Sequence, residues 1–294
     1  MGRVSFVFSG QGDQFPGMGR ELYENSPAAA RVFAQCEALR PGTIRQCFGG
    51  SVEELKETAN TQPCLFAMEL AACAALAEKN ITPDAVAGFS LGEVCAATAA
   101  GCFDLETGFS LVCKRGGLMQ AESEKHDSAM AAVVRLTAQQ VTALCADFSS
   151  IWPVNFNCPG NTTVSGLAVQ MPAFTAAVKA AGGRALPLNV KGAFHSPLME
   201  PAAQAFAGEL KGMKVPKIPL YSNVTGGLYG EKALLAQQIA SPVRWETIVR
   251  NMIADGVDTF VEIGPGRTLT NMIKKIDPNV TAKTVAEILE ETQC

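Results

Sequence analysis

Histidine is nearly absent from this 294-residue chain, in which His126 and His195 are the two imidazoles. A His-rich metal site is excluded, and so is any mechanism that needs three imidazoles. Charge is also scarce: Asp, Glu, Lys and Arg make up 18% of the residues and the net charge is −4. A basic surface able to displace counterions from phosphates is missing, which argues against nucleic-acid binding. No apolar run reaches the ~18 residues that read as a membrane span. The opening MGRVSFVFSGQG has a short apolar run without a small-residue cleavage site, so it reads as a first strand and not as an export signal. The ten cysteines contain no C-x-x-C pair. Cys73, Cys95, Cys102 and Cys113 sit in apolar stretches, where a thiol behaves as a small hydrophobe. A reducing, cytoplasmic setting is the expectation. Against these shortages stand 48% hydrophobic residues, which exclude disorder and coiled coil. The length fits one large domain or two ordinary ones.

The pattern along the chain alternates strands with helices. Arg3 to Ser9 reads as a strand before a Gly-rich turn, and Pro63 to Glu78 as a long helix. Asp84 to Gly88 reads as a short buried strand, followed by helices at 92–100 and 104–119. A polar linker at 122–128 then opens a stretch with the order βαββαβ, closing with a strand at 185–188. Longer helices and buried-type strands return after His195, including helices at 201–211, 231–239 and from Ser241 to Ala254. The expected fold is therefore α/β: a larger α/β-hydrolase-like domain with a mostly parallel sheet, and an inserted ferredoxin-like (βαββαβ) subdomain. The large domain takes residues 1–125 and 192–294, and the small one 126–191.

The sharpest local signal is Gly88-Phe89-Ser90-Leu91-Gly92, placed between a strand and a helix as a nucleophile elbow requires. The alternative is a tight strand–helix turn with a capping serine. An alcohol needs a base. His126 lies in the charged linker and reads as a surface residue, which leaves His195 in Gly192-Ala193-Phe194-His195-Ser196 as the credible imidazole, or else a satisfied core histidine. The Gly10-Gln11-Gly12 turn fails as a dinucleotide fingerprint, because Phe15 occupies the place of the third glycine and Pro16 interrupts the helix start. A loop that delivers a backbone N–H to an oxyanion fits it better, beside the plain alternative of a turn.

Together these segments resemble the malonyl-CoA:acyl carrier protein transacylases and the acyltransferase domains of polyketide synthases, over essentially the whole chain. Ser9-Gly10-Gln11-Gly12, Gly88–Gly92, Lys114-Arg115-Gly116, Gly192–Ser196, Ser241-Pro242-Val243-Arg244-Trp245 and Glu262–Gly266 carry the resemblance. It implies Ser90 as the acyl-carrying nucleophile, His195 as its base, and backbone N–H groups of Gln11 and Leu91 as the oxyanion hole. It implies Arg115 on the free carboxylate of the malonyl group, Gln238 beside His195 with a main-chain carbonyl orienting the ring, and Asn157 on the pocket wall. Malonyl-CoA would be the substrate and acyl carrier protein the partner, with no metal or redox cofactor, no nucleic acid and no membrane, and a monomer as the default. Fatty-acid synthesis is mildly favoured over polyketide synthesis, because the chain as given carries no fused domain. Phe89, Asp13 and Asn161 depart from the family's common histidine, serine and glutamine.

Two other functions share these residues: a thioester hydrolase that passes the acyl group to water, and an inactive scaffold that binds a carrier protein. The carrier proteins of this family are acidic while this chain is net negative, so docking would need a local basic patch. Lys191, Lys274, Lys275 and Arg267 are the candidates; for the 274–275 pair a cationic helix end is an equal alternative.

Overall fold

The computed structural model describes residues 2–190 and 192–292. Lys191, a candidate docking cation and the expected boundary residue, lies outside them. The fold is α/β, with one parallel and one antiparallel sheet. Nine strands are labelled in chain order: β1 Arg3–Phe8, β2 Ala85–Gly88, β3 Ser128–Val134, β4 Ile151–Cys158, β5 Asn161–Leu167, β6 Arg184–Pro187, β7 Leu220–Tyr221, β8 Val257–Ile263 and β9 Thr281–Thr284.

The larger sheet has the order β7-β2-β1-β8-β9, and every neighbouring pair is parallel. Its central strands are buried, with Val7, Phe8, Val86 and Ala87 at 0% exposure, as a sheet covered on both faces requires. The Thr58–Glu78 helix is apolar nearly all round, so it runs through the core instead of along the surface. Parallel strands all leave the sheet at the same edge, and loops at that edge meet at their carboxyl ends. Here the segments after β7, β2, β1 and β8 converge: Asn223, Ser90, Gln11 and Gly264 lie just past those four strands.

The smaller sheet has the order β4-β5-β3-β6 and is antiparallel throughout. The Ala138–Cys145 helix joins β3 to β4 and the Met171–Ala180 helix joins β5 to β6, so the expected βαββαβ order is present. The first helix starts on a capping box between Thr137 and Gln140. Both helices bury their apolar stripe against this sheet, through Val141, Phe174 and Val178, in a core of its own.

Several boundaries differ from the sequence reading. The helix expected at 104–119 spans Leu105–Ser123 and places Arg115 in its middle. Gly116 permits this, because a Cβ there would sit 2.9 Å from the Thr58 carbonyl oxygen of the adjoining helix. The polar linker shortens to 124–127. The long apolar helix begins at Thr58, upstream of Pro63. Ser241 does not start a helix; that helix is Trp245–Ala254, and Val243 instead bridges to Asn155 of β4, stitching the two sheets' units together. The expected 231–239 helix is a single turn, Leu234–Gln237, followed by a 3-10 turn, Gln238–Ala240. The edge strand β9 had no counterpart in the sequence reading. Among the described residues no helix is long and apolar enough to cross a membrane, and nine cysteines are free thiols.

Candidate active site

The turn after β2 is made by two glycines that tolerate no side chain. A Cβ on Gly88 would lie 1.9 Å from the Gly92 carbonyl carbon, and one on Gly92 would lie 2.3 Å from the Phe8 carbonyl oxygen. With strand, turn and helix this close, Ser90 takes a left-handed backbone conformation, φ 56°. A non-glycine residue pays about 1–3 kcal/mol for such a geometry and persists in it only where its surroundings over-determine it. Phe89 packs edge-on against Trp245, with ring centroids 5.7 Å apart, and lines the same pocket as Ser90 and His195.

Ser90 Oγ lies 2.7 Å from His195 Nε2. The two residues are brought together from 105 positions apart. The other ring nitrogen, Nδ1, lies 2.6 Å from the main-chain oxygen of Gln238. A carbonyl oxygen can only accept, so Nδ1 carries the proton and Nε2 presents its lone pair to Ser90. His195 itself sits at φ 62°, anchored by its N–H to the Ile239 carbonyl. It is buried at 4% exposure, and that burial, followed by the nearby charge of Arg115, pushes its pKa down to about 4. The ring is therefore neutral at pH 7 and ready to accept a proton.

Arg115 is fully buried. Nη1 donates to Gln62 Oε1 (2.9 Å) and Nη2 to Gln238 Oε1 (3.0 Å) and to Ser90 Oγ (3.3 Å). Burial lowers its pKa to about 10, against the pull of Glu93, so it remains a cation at neutral pH. Its Nε–H is buried without an acceptor among the described residues. Glu93, also fully buried, has its carboxyl pushed up to about 8 by burial. Gln238 works twice, since its side-chain Nε2 also donates to the Ser90 carbonyl (2.9 Å).

The backbone N–H groups of Gln11 and Leu91 have no partner among the described residues. Leu91 stands at the N-terminus of the Gly92–Ala99 helix, where unpaired N–H groups and the helix dipole both favour negative charge. Gln11, Leu91, Ser90, Arg115 and His195 line one pocket, with Gln62, Met119, Met130, Asn155 and Phe194 among the rest of its wall.

Asn157 is not on that wall. It is the extra residue of a bulge in β4, opposite Asn161, and its Nδ2 donates to Asn161 Oδ1 and Thr163 Oγ1 (both 3.1 Å). Asn155, which carries no sequence signal of its own, faces the pocket with a buried Oδ1 that has no partner among the described residues. Beside the Gly10–Gly12 turn, Asp13 accepts from Thr268 Oγ1 (2.6 Å). Ser9 supports that turn from below by donating to the buried Glu69 (2.5 Å). Glu262 accepts the N–H groups of Leu269 and Thr270 and so fastens the helix beyond it. Arg267 is paired with Glu287, while Lys274 and Lys275 are exposed. His126 lies near Glu122, away from the site. Among the described residues no three His, Cys, Asp or Glu side chains converge as a metal site would need.

A family model for the acyl transferase domain matches residues 5–291. The malonyl CoA-acyl carrier protein transacylase of Bacillus subtilis is 40% identical over 304 residues, covering 99% of this chain and 95% of that protein. The crystal structure of a malonyl CoA-acyl carrier protein transacylase from Clostridium perfringens matches with a TM-score of 0.94 at 32% identity, over 99% of this chain and 97% of that one. A malonyl-transacylase solved in complex with its type II polyketide-synthase acyl carrier protein matches with a TM-score of 0.93 at 33% identity, over 98% and 99% of the two chains.

Proposed function

The chain belongs to the acyl transferase family, and from that premise we propose that it moves a malonyl group from malonyl-CoA to the phosphopantetheine thiol of an acyl carrier protein. The transfer passes through a malonyl-Ser90 ester and supplies fatty-acid or polyketide elongation. The observation that carries this reading is the meeting of three groups at one oxygen: Ser90 Oγ has the His195 lone pair at 2.7 Å and the buried Arg115 guanidinium at 3.3 Å.

In the first half-reaction Nε2 of His195 takes the Ser90 proton as Oγ bonds to the thioester carbon. The carbonyl oxygen gains charge, and the Gln11 and Leu91 N–H groups donate hydrogen bonds to it. The tetrahedral centre collapses, the C–S bond breaks, and Nε2–H returns the proton to the CoA sulfur. The second half runs the same steps with the carrier protein's thiol. Only protons and an acyl group move, so the balance requires no metal or redox cofactor. Arg115 selects the substrate: its unpaired Nε–H and Nη2 lie on one edge of the guanidinium, the fork that a carboxylate accepts with two parallel bonds. Asn155 offers a further acceptor on the wall, and the Asn157 amide acts behind it by bracing the bulge. Lys274 and Lys275 form the docking patch for the acidic carrier.

The finer architecture follows the same reading. Residues 1–125 and 192–294 form an α/β-hydrolase-like unit, and 126–191 an inserted ferredoxin-like unit, supported by the β4-β5-β3-β6 order. The protein acts as a cytoplasmic monomer, a setting in keeping with its free thiols. Intact-protein mass spectrometry after mixing with malonyl-CoA tests the core of this. A malonyl adduct forms on the parent and not on Ser90→Ala, and holo acyl carrier protein discharges it much faster than water. An adduct discharged equally fast without carrier protein identifies a hydrolase; the absence of any adduct on the parent points to a scaffold.

A further inference from the structure

We infer that Asn223 is a positioning residue for the nucleophile: its amide locks the strained elbow into the one geometry that aims Ser90 Oγ at His195. Asn223 follows β7, the strand beside β2, and is fully buried. Its Oδ1 accepts the Ser90 backbone N–H at 2.8 Å, and its Nδ2 donates to the Gly88 carbonyl at 2.6 Å. One amide thus spans both sides of the turn. Its own backbone is fixed in two places, with N–H donating to Glu93 Oε1 (3.0 Å) and C=O accepting from the Arg244 N–H (3.0 Å). Glu93 belongs to the helix that the elbow starts, so strand, elbow, helix and Asn223 form a closed circuit of hydrogen bonds.

The chemistry of the circuit is specific. The Ser90 N–H can only donate and the Gly88 oxygen can only accept. A side chain of this length must therefore present one acceptor and one donor side by side, and a primary amide does so in its neutral state. Ser90 sits at φ 56°, so without this clamp the turn is free to relax toward ordinary backbone geometry. The Oγ–Nε2 distance and the direction of the Leu91 N–H would both change. Misplacement of a reacting atom by about 1 Å costs roughly 100-fold in rate.

This inference rests on Ser90 being the nucleophile and is tested separately from the malonyl assignment. The probe is a fluorophosphonate, which reacts with an activated serine whatever acyl group the protein carries in nature. Asn223→Leu, similar in size but with neither hydrogen-bonding group, is expected to label at Ser90 about 10- to 100-fold more slowly than the parent. Its malonyl-CoA acylation rate falls alike, while KM for malonyl-CoA stays within about twofold. Asn223→Asp is expected to recover part of the rate at acidic pH, where the neutral acid can still donate to Gly88, and to lose it as the carboxyl ionises. A folded Asn223→Leu protein that labels within about twofold of the parent overturns the inference, as does a loss confined to KM. If Asn223→Leu does not fold, Asn223→Asp decides: a labelling rate at the parent's level across the pH range overturns the proposal. A parent that takes the phosphonate but no malonyl group refutes the malonyl reading and leaves this test intact.

Discussion

Arg115→Ala separates substrate choice from catalysis. In the parent the guanidinium is fully buried and held by two glutamine oxygens, Gln62 Oε1 at 2.9 Å and Gln238 Oε1 at 3.0 Å. Its Nε–H, and the Nη2–H that reaches Ser90 Oγ in the free protein, would grip the malonyl carboxylate. Truncating one partner of a buried, hydrogen-bonded charge pair costs about 2–5 kcal/mol. Alanine leaves room for water to solvate the stranded carboxylate, which places the loss near 3 kcal/mol, or roughly 150-fold in kcat/KM for malonyl-CoA. Acetyl-CoA has no carboxylate to lose, so its kcat/KM should move by less than about threefold, and the malonyl-to-acetyl ratio should fall by about two orders of magnitude. The fold tolerates the change because Glu93, pushed up to about 8 by burial, is already mostly neutral at pH 7 and is not left as a stranded charge when Arg115 is removed. The assay measures both kcat/KM values with one carrier protein, on protein shown to be folded by circular dichroism. A ratio preserved within about threefold refutes the carboxylate clamp.

The pH dependence of the base follows from its surroundings. His195 is pushed down to about 4, chiefly by burial and secondly by Arg115. The neutral base predominates above that pH, so fluorophosphonate labelling of the free protein should lose rate only as pH falls through about 4. Arg115→Ala removes the smaller cause, so its acid limb should move up yet stop short of the ordinary 6.5; an unmoved limb contradicts this account. The strain at Ser90 predicts that Ser90→Gly is about 1 kcal/mol more stable than Ser90→Ala in urea denaturation, although both are inactive; equal stabilities would remove the strain. Gly88→Ala places a Cβ 1.9 Å from backbone and should cost about 3 kcal/mol, the upper end for overpacking, while a stable variant that labels normally would refute the elbow geometry. Reversing both charges with Lys274→Glu and Lys275→Glu should raise the carrier protein's KM about tenfold at low salt and leave that of malonyl-CoA alone; an unchanged carrier KM moves docking elsewhere.

What was legible in the sequence was local or scarce. The elbow could be read because Gly88, Ser90 and Gly92 fall within five residues and both glycines have steric jobs there. His195 could be read because one of only two histidines sits in a polar linker. Arg115 needed the family resemblance, since composition and spacing make it an ordinary helix-end cation; its depth became visible when the helix continued past Gly116. Asn157 came from the family resemblance alone; the wall position falls to Asn155, because β4 carries register shifts on both sides of it and a bulge re-aims side chains along the strand. Asn223 had no local signature, for its partners are 133 and 135 residues away. Glu69 did leave a trace: a lone carboxylate in the otherwise apolar run CLFAMELAACAAL cannot be buried unless something hydrogen-bonds it, and Ser9 does.

The weakness of the base helps to explain why such a site would transfer rather than hydrolyse. His195 is oriented by a neutral carbonyl, not by a carboxylate, and it faces a buried cation. Neither neighbour supplies the negative charge that would stabilise an imidazolium. A base of this strength must work on a proton that is already acidic. A thiol titrates near ~8.5, whereas bulk water lies near ~15.7, so the same imidazole is about seven units better matched to phosphopantetheine than to water. Ser90 is helped over that gap in the forward direction by the N–H groups that receive the oxyanion. Water entering the loaded site meets the same oxyanion donors, so its disadvantage against the carrier thiol is this acidity gap alone. Burial does most to lower the basicity of His195, and the Arg115 charge that would read the substrate adds to it.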